Sequence, residues 1–194
     1  MTCRDDYRMN APFEAKQLLL RFYDKDSDLF RLLWLHSRQV AEKALSVAEM
    51  FGDKVDRRFI SEAALLHDIG IIRTHAPSIF CTGSQPYIMH GVIGAEMLRN
   101  LSDGLNRHAL VCERHTGSGL TAEEIEAAHL PLPAHDMLPL SLEEKIICYA
   151  DKFFSKSSPD KIKTIENIRK DMSRFGEKQL ARFNDLHRLF GHQP

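Results

Sequence analysis

Residues 60 to 70 read Ile-Ser-Glu-Ala-Ala-Leu-Leu-His-Asp-Ile-Gly, and this stretch gives the clearest indication of the fold. Its apolar residues recur at the three- and four-residue spacing of one buried helix face. Asp56 is placed to cap the start of such a helix, and Gly70 is placed to end it. We therefore predict a helix between these two residues. The adjacent pair His67 and Asp68 faces inward near its end.

The same helical periodicity runs through most of the chain, and strand-like alternation never persists for long. Ser/Thr-x-x-Glu motifs at Thr121 and Ser141 are typical helix starts, because their side chains cap free backbone N–H groups. The dipeptide Ser158-Pro159 is predicted to open a later helix, since proline fits the first helical turn. The fold class we expect is all-α, a single-domain helical bundle. The predicted helices span about 11–22, 28–51, 56–70, 86–101, 105–116, from 122, from 142, 158–175 and 177–190, with loops at 74–86 and 130–139.

The composition suits one globular domain and gives no strong signal for nucleic-acid binding. The 194 residues are 43% hydrophobic and 27% charged, with a formal net charge of -1. Residues 152–194 hold ten Lys and Arg against five Asp and Glu, a net of +5, which leaves -6 for residues 1–151. Such a basic segment is usually a solvated face. The alternative, that it lines the approach of an anionic substrate, stays open.

Cysteine usage and hydropathy predict a cytoplasmic protein. The four cysteines are too scattered for a metal knuckle and too few for a disulfide scaffold, so we expect reduced thiols. The charged start lacks the apolar stretch of a signal peptide, and no apolar run approaches the ~20 residues of a membrane-spanning helix. We expect no membrane partner, and the sequence leaves the oligomeric state open.

Histidine and aspartate residues recur on the inward faces of separate predicted helices. A single inward histidine is more often a hydrogen-bonded core residue than a ligand. Burying several imidazoles and carboxylates together without a cation is costly, however. The set therefore predicts a divalent metal site. Its members are His36, His67, Asp68, His90, His115 and Asp151.

These residues resemble the H...HD...D pattern of the HD-domain metal-dependent phosphohydrolases. The pattern is met by His36, by the string Leu-Leu-His67-Asp68-Ile-Gly and by Tyr-Ala-Asp151. The resemblance covers about residues 30–156. It implies an HD domain at 28–156, preceded by an N-terminal helical extension at 1–27 and followed by basic helices at 157–194 that pack on the same domain.

Two further segments are similar to those of binuclear members, the HD-type symmetrical diadenosine tetraphosphatases. They are His90-Gly-Val-Ile-Gly-Ala and His115-Thr-Gly-Ser-Gly. The resemblance implies one or two divalent transition metal ions, and we favour Mn or Fe over Co, Ni or Zn. It implies two groups that share one carboxylate: His36, His67, Asp68 and Asp151 for one ion, and Asp68, His90 and His115 for the other.

The resemblance implies hydrolysis of a phosphomonoester or phosphodiester bond in a small nucleotide-like substrate, by a metal-activated water. Many HD hydrolases carry a lysine shortly after the HD pair, where this chain has Ile-Ile-Arg73-Thr-His75. We predict catalytic roles for Asp68, for Arg73 as a phosphate contact, and for His75 as a donor to the substrate or an aid to the leaving group. The alternative for Arg73 and His75 is a solvated surface side chain. Lys152, next to a proposed ligand, is expected to face solvent.

Two alternatives share this ligand set. One is a mixed-valent di-iron HD oxygenase, and the other is a regulatory module that binds a nucleotide without turning it over. The ligand types alone do not separate these from a hydrolase. Oxygen consumption, phosphate release and binding without product are the observations that do.

Overall fold

The computed structural model describes residues 14–191, and most of these are helical, so the all-α prediction is confirmed. Residues 14–19 form a first helical segment, whereas the start of the helix predicted at 11–22 lies outside the described residues. The longer helices are α1 (Asp28–Ala48), α2 (Arg57–Leu66), α3 (His90–Leu101), α4 (Asn106–Arg114), α5 (Ala122–Ala127), α6 (Leu142–Asp151), α7 (Ile165–Arg174) and α8 (Glu177–Phe190). Short 3₁₀ helices lie at Glu49–Lys54, Ile69–Arg73, Pro77–Ile79, Tyr87–Met89 and Asp103–Leu105.

Side-chain caps define several helix starts where the sequence predicts them. Asp56 accepts a 2.9 Å hydrogen bond from the backbone three residues on, at the start of α2. Thr121 and Glu124 form the reciprocal capping box that opens α5. Ser141 accepts a 3.1 Å hydrogen bond from the backbone N–H of Glu144 and opens α6. These three predictions are confirmed.

The predicted end of α2 at Gly70 is wrong. The helix ends at Leu66, and Gly70 lies in the 3₁₀ helix that follows. A Cβ atom at Gly70 would lie 2.1 Å from the carbonyl oxygen of His90 and 2.4 Å from the backbone nitrogen of Gly94. Glycine is therefore required because α3 packs directly on this turn.

The prediction that Ser158-Pro159 opens a helix is also wrong. The Nε2 of Gln39 on α1 donates a 2.9 Å hydrogen bond to the carbonyl oxygen of Pro159, which removes that carbonyl from helical pairing. The chain then runs through turns until Thr164, whose hydroxyl caps α7. A tertiary contact thus shifts this helix start by several residues.

The segment predicted as a loop at 74–86 contains a small sheet. Its strands are β1 (Thr74–Ala76), β2 (Cys81–Thr82) and β3 (Gln85–Pro86). β1 is central and pairs with β2 antiparallel and with β3 parallel. The sheet is too short to carry a core of its own, and it packs beside the 3₁₀ turn that follows α2.

One hydrophobic core unites the bundle. α1 packs against α2 and α6, and α3 packs against α4. The C-terminal helices join the same core, since Tyr149 of α6 stacks on Phe183 of α8 with ring centroids 6.0 Å apart. Ile168 on α7 and Phe190 on α8 are buried in it as well. Within residues 14–191, no helix combines the length and the apolar character needed to cross a bilayer.

Candidate metal centre

The end of α2 brings His67 and Asp68 to the middle of the bundle, where both side chains are fully buried. His67 Nδ1 donates a 2.7 Å hydrogen bond to the carbonyl oxygen of Ala64, and its Nε2 lies 3.0 Å from Asp68 Oδ2. The hydroxyl of Tyr23 donates a 2.7 Å hydrogen bond to the carbonyl of Ile69. The segment before α1 therefore helps to fix the turn that aims the pair.

His36 on α1 and Asp151 at the end of α6 complete a first group of donor atoms. His36 Nε2 lies 3.1 Å from Asp68 Oδ2 and 3.1 Å from Asp151 Oδ1, and His67 Nε2 lies 3.5 Å from Asp151 Oδ1. Within residues 14–191, neither Nε2 atom nor either oxygen of Asp68 has a hydrogen-bond partner of ordinary geometry. Buried polar atoms are normally paired. Donor atoms that lie close together without forming well-aligned hydrogen bonds are typical of ligands that bind a common ion.

His90, the first residue of α3, and His115, just after α4, form a second group with the other oxygen of Asp68. Each Nε2 lies 3.5 Å from Asp68 Oδ1. Their Nδ1 atoms each donate 2.8 Å hydrogen bonds, to the carbonyl oxygens of Tyr87 and Cys112. The two Nε2 atoms then face each other at 3.0 Å, so either a proton or a cation must lie between them.

The two groups have the spacing of metal ligands. The donor atoms in each group lie within 4.8 Å of one another. His90 Nε2 and His115 Nε2 are 3.0 Å apart, which is close enough for both nitrogens to reach one ion at the ~2.1 Å of a metal–nitrogen bond. Asp68 offers Oδ2 to the first group and Oδ1 to the second. The residues therefore fit a divalent cation at each group.

Burial and charge set the protonation of these groups. Burial lowers the pKa of His90 to about 3. Burial would also lower the pKa of His67, but Asp68 and Asp151 outweigh it and raise that pKa to about 9. Burial would raise the pKa of Asp68, but His67 and Lys156 hold it well below its usual range. The carboxylates are thus ionised and strongly attract a cation.

Two largely buried lysines contact the carboxylates of the cluster. Lys152 Nζ lies 2.8 Å from Asp151 Oδ2 and donates a 2.9 Å hydrogen bond to the carbonyl oxygen of His115. The expectation that Lys152 faces solvent is therefore wrong. Lys156 forms an ion pair with Asp68 Oδ2. Sequence reasoning missed Lys156, because it lies in a turn without periodicity and within a basic segment.

A cavity of about 760 Å³ borders both groups. This volume is in the range of small-molecule binding sites. Its wall combines donors from both groups with basic side chains of the C-terminal segment. These residues are His90, His115, Asp151, Lys152, Lys156, Lys163 and Arg174. Part of the basic segment thus faces a cavity rather than forming only a solvated face.

α8 fixes the loop that follows His115. The side chain of Gln179 is buried, and its Oε1 accepts a 2.7 Å hydrogen bond from the backbone N–H of Ser118. Its Nε2 donates a 2.6 Å hydrogen bond to the carbonyl oxygen of Gly119. Gly117 and Gly119 have positive φ angles of 58° and 86°, which glycine adopts without strain. The last helix therefore shapes one wall of the cavity.

The structure does not bring Arg73 and His75 to the cavity. Both side chains are exposed, and neither lines the cavity wall. Thr74 between them is fully buried and belongs to β1. Because successive residues of a strand point to opposite faces, an inward Thr74 turns His75 outward. Arg73 is the last residue of the 3₁₀ helix before the strand.

Comparison with known proteins agrees with this site. The family model described as HD domain matches residues 33–155, more than half of the chain. The chain belongs to the HD domain family. All the donor residues of both groups lie within the matched span, so the HD domain of this chain carries a His and Asp cluster that fits divalent metal ions.

Relatives of this HD domain protein include one without a known activity and two with a printed activity. An uncharacterised protein of Methanocaldococcus jannaschii, MJ0778, is 42% identical over 127 residues, 60% of this chain and 67% of that protein. A tRNA (cytidine(56)-2'-O)-methyltransferase of Picrophilus torridus is 34% identical over 151 residues, 77% of this chain and 37% of that protein. The enzyme of the same name from Thermoplasma volcanium is 33% identical over 137 residues, 70% of this chain and 36% of that protein.

The chain therefore spans little more than a third of each methyltransferase that it matches. No solved structure gives a significant match to the chain.

Proposed function

We propose that this HD domain is a metal-dependent phosphohydrolase that cleaves a phosphomonoester or phosphodiester bond of a small nucleotide-like substrate. One observation carries the proposal: Asp68 is shared between two donor groups that border a cavity with lysine and arginine side chains on its wall. Bound there, one or two divalent ions, with Mn or Fe favoured, would polarise a phosphoryl oxygen and lower the pKa of a water molecule.

The side chains of the site hold these donors in place. His67, His90 and His115 each use Nδ1 to donate to a backbone carbonyl, which leaves Nε2 as the available ligand atom. Asp68 is our proposed catalytic residue because it contacts both groups. Lys152 orients the carboxylate of Asp151 by contacting the oxygen that does not face His36.

The cavity favours a small anionic substrate with an aromatic part. Lys163 and Arg174 line its wall, where each also pairs with Asp171, and such cations bind phosphate oxygens through charge-assisted hydrogen bonds. Tyr87, which stacks on His90 with ring centroids 4.9 Å apart, and Phe175 supply aromatic faces on the same wall. Arg73 and His75 stay predictions from the sequence, since neither lines this cavity.

The test is a phosphate-release screen of nucleotides and aryl phosphates under anaerobic conditions. The protein is loaded separately with Mn²⁺, Fe²⁺, Co²⁺, Ni²⁺ or Zn²⁺. We expect turnover that falls about a hundredfold or more in His67→Ala, since ligand loss removes the metal. His135→Ala is the matched control, because that histidine is exposed and belongs to neither donor group.

The screen also separates the alternatives. Oxygen consumption by the iron-loaded protein without phosphate release would favour the oxygenase. Binding of nucleotides without any product would favour the regulatory module. Because two relatives are named as tRNA methyltransferases, short RNA phosphodiesters belong in the screen, and turnover of RNA alone would replace our substrate class.

A further inference from the structure

Lys156 is a largely buried cation that has no role in the proposed hydrolysis. Its side chain is only 11% exposed, although it lies in a turn region beyond α6. Its ammonium group contacts Asp68 Oδ2. The same oxygen lies 3.1 Å from His36 Nε2 and 3.0 Å from His67 Nε2. Lys156 therefore contacts the same oxygen, Asp68 Oδ2, that would bind an ion together with His36 and His67.

Lys152 differs from Lys156 in which carboxylate oxygen it contacts. Lys152 binds Asp151 Oδ2, whereas Asp151 Oδ1 is the oxygen that faces His36. A second hydrogen bond, to the carbonyl oxygen of His115, anchors its ammonium group. Lys152 can therefore keep its position beside an occupied metal site.

Lys156 cannot keep its contact in the same way. Two cations held by one buried oxygen repel each other strongly, because the surrounding protein screens charge weakly. A lysine ammonium sits on a flexible four-carbon stem, so it can move to another anion nearby. Lys156 also lines the cavity beside His90 and His115, which is where a substrate phosphate would lie.

We propose that Lys156 is an exchangeable cation of this site. When a divalent ion binds Asp68 Oδ2, the ammonium group of Lys156 leaves that oxygen and binds a phosphate oxygen of the substrate. The inference rests on the proposed function, because it takes both the metal site and the phosphate substrate from it. It predicts that one side chain weakens metal binding and strengthens phosphate binding.

The experiment compares Lys156→Met with the unchanged chain by two calorimetric titrations. In the first, Mn²⁺ alone is titrated into metal-free protein. We expect Mn²⁺ affinity to rise about tenfold, since the internal competitor is gone. In the second, inorganic phosphate is titrated into the Mn²⁺-loaded protein. We expect phosphate affinity to fall about tenfold to a hundredfold, the effect of losing one charge-assisted hydrogen bond.

Lys161→Met is the matched control, because Lys161 is exposed and does not line the cavity. It should change neither affinity by more than about twofold. Lys156→Gln keeps a polar end, and it replaces Lys156→Met if the methionine variant fails to melt cooperatively. Lys156→Arg keeps the charge and should retain phosphate affinity within a few fold.

If the neutral variants bind Mn²⁺ no more tightly than the unchanged chain, Lys156 does not compete with the metal ion for Asp68. If they bind phosphate equally well, Lys156 does not contact the phosphate. Neither readout depends on turnover. A chain that hydrolyses no ester but shows both opposite shifts would disprove the proposed function and support the role of Lys156. A chain that turns over esters without those shifts would overturn the role of Lys156 alone.

Discussion

Asp68 presents its two carboxylate oxygens to different partners. Oδ2 faces His36 and His67, and Oδ1 faces His90 and His115 at 3.5 Å. At the scale of single residues, Asp68 therefore couples the two groups, whereas each histidine belongs to one of them.

Asp68→Asn and His115→Ala should have different effects on metal content. The amide of Asn keeps the size of the side chain but loses the charge and one ligand oxygen, so both groups are weakened. His115→Ala removes a ligand from the second group only. We expect elemental analysis to find less than about one metal ion per chain for Asp68→Asn and about one for His115→Ala. Equal metal content in the two variants would contradict a shared carboxylate.

At the scale of elements, close backbone contact between the turn after α2 and the start of α3 sets the second group. Gly94 of α3 meets Gly70, and the carbonyl oxygen of His90 lies against the same turn. Gly91 of α3 similarly approaches the carbonyl of Cys112 on α4. Small residues at these crossings let α3 approach both neighbours, which brings the ring of His90 near Asp68.

Gly70→Ala should therefore damage both stability and the second group. The added Cβ would meet backbone atoms of His90 and Gly94, which cannot rotate away as a side chain can. We expect the free energy of unfolding to fall by about 1–3 kcal/mol, the usual cost of overpacking, together with weaker metal binding. Denaturant unfolding and metal titration measure the two effects.

The control for this prediction is Gly104→Ala. The nearest atom to a Cβ at that position is Ser102 Oγ at 3.4 Å, an ordinary contact. Its free energy of unfolding should change by no more than about 0.5 kcal/mol. A Gly70→Ala protein as stable as this control would show that α3 tolerates a larger separation from the turn.

Local features of the sequence were sufficient where local contacts decide the structure. The caps at Thr121 and Ser141 involve residues three positions apart, so the sequence predicts both helix starts correctly. Gly70 meets a helix that begins twenty residues later, and Pro159 meets Gln39 of α1. Their roles depend on tertiary packing, which periodicity and capping motifs do not report.

At the scale of the whole molecule, the residues that supply the donor atoms can be predicted from the sequence, whereas the residues that line the cavity cannot. Helical phase fixes the direction of a side chain, so inward-facing histidines such as His36 stand out in the sequence. Lys156 and Lys163 lie between α6 and α7, where no periodicity exists. In a basic segment such lysines are usually solvated. Only the path of the folded chain brings them to the cavity wall.

The ligands of the cluster come from five helices or their ends, so bound ions would cross-link most of the bundle. His36 lies on α1, Asp151 ends α6, and His115 follows α4. The unfolded chain has no such preformed site, so a metal at 100 times its dissociation constant stabilises the fold by about 2.7 kcal/mol. For a domain of this size we expect chelation to lower the melting temperature by about 5–10 °C.

Thermal melting of the metal-loaded protein, with and without EDTA, measures this shift. The control uses EDTA that is already saturated with the same metal, which reveals any effect of the chelator itself. His67→Ala, which removes a ligand of the first group, should show a smaller shift, because less metal is bound at the start. The control variant His135→Ala should keep the full shift, since that exposed side chain is not part of either donor group. Elemental analysis shows when the protein is free of metal. If that protein melts at the same temperature as the metal-loaded protein, the cluster does not couple metal binding to folding.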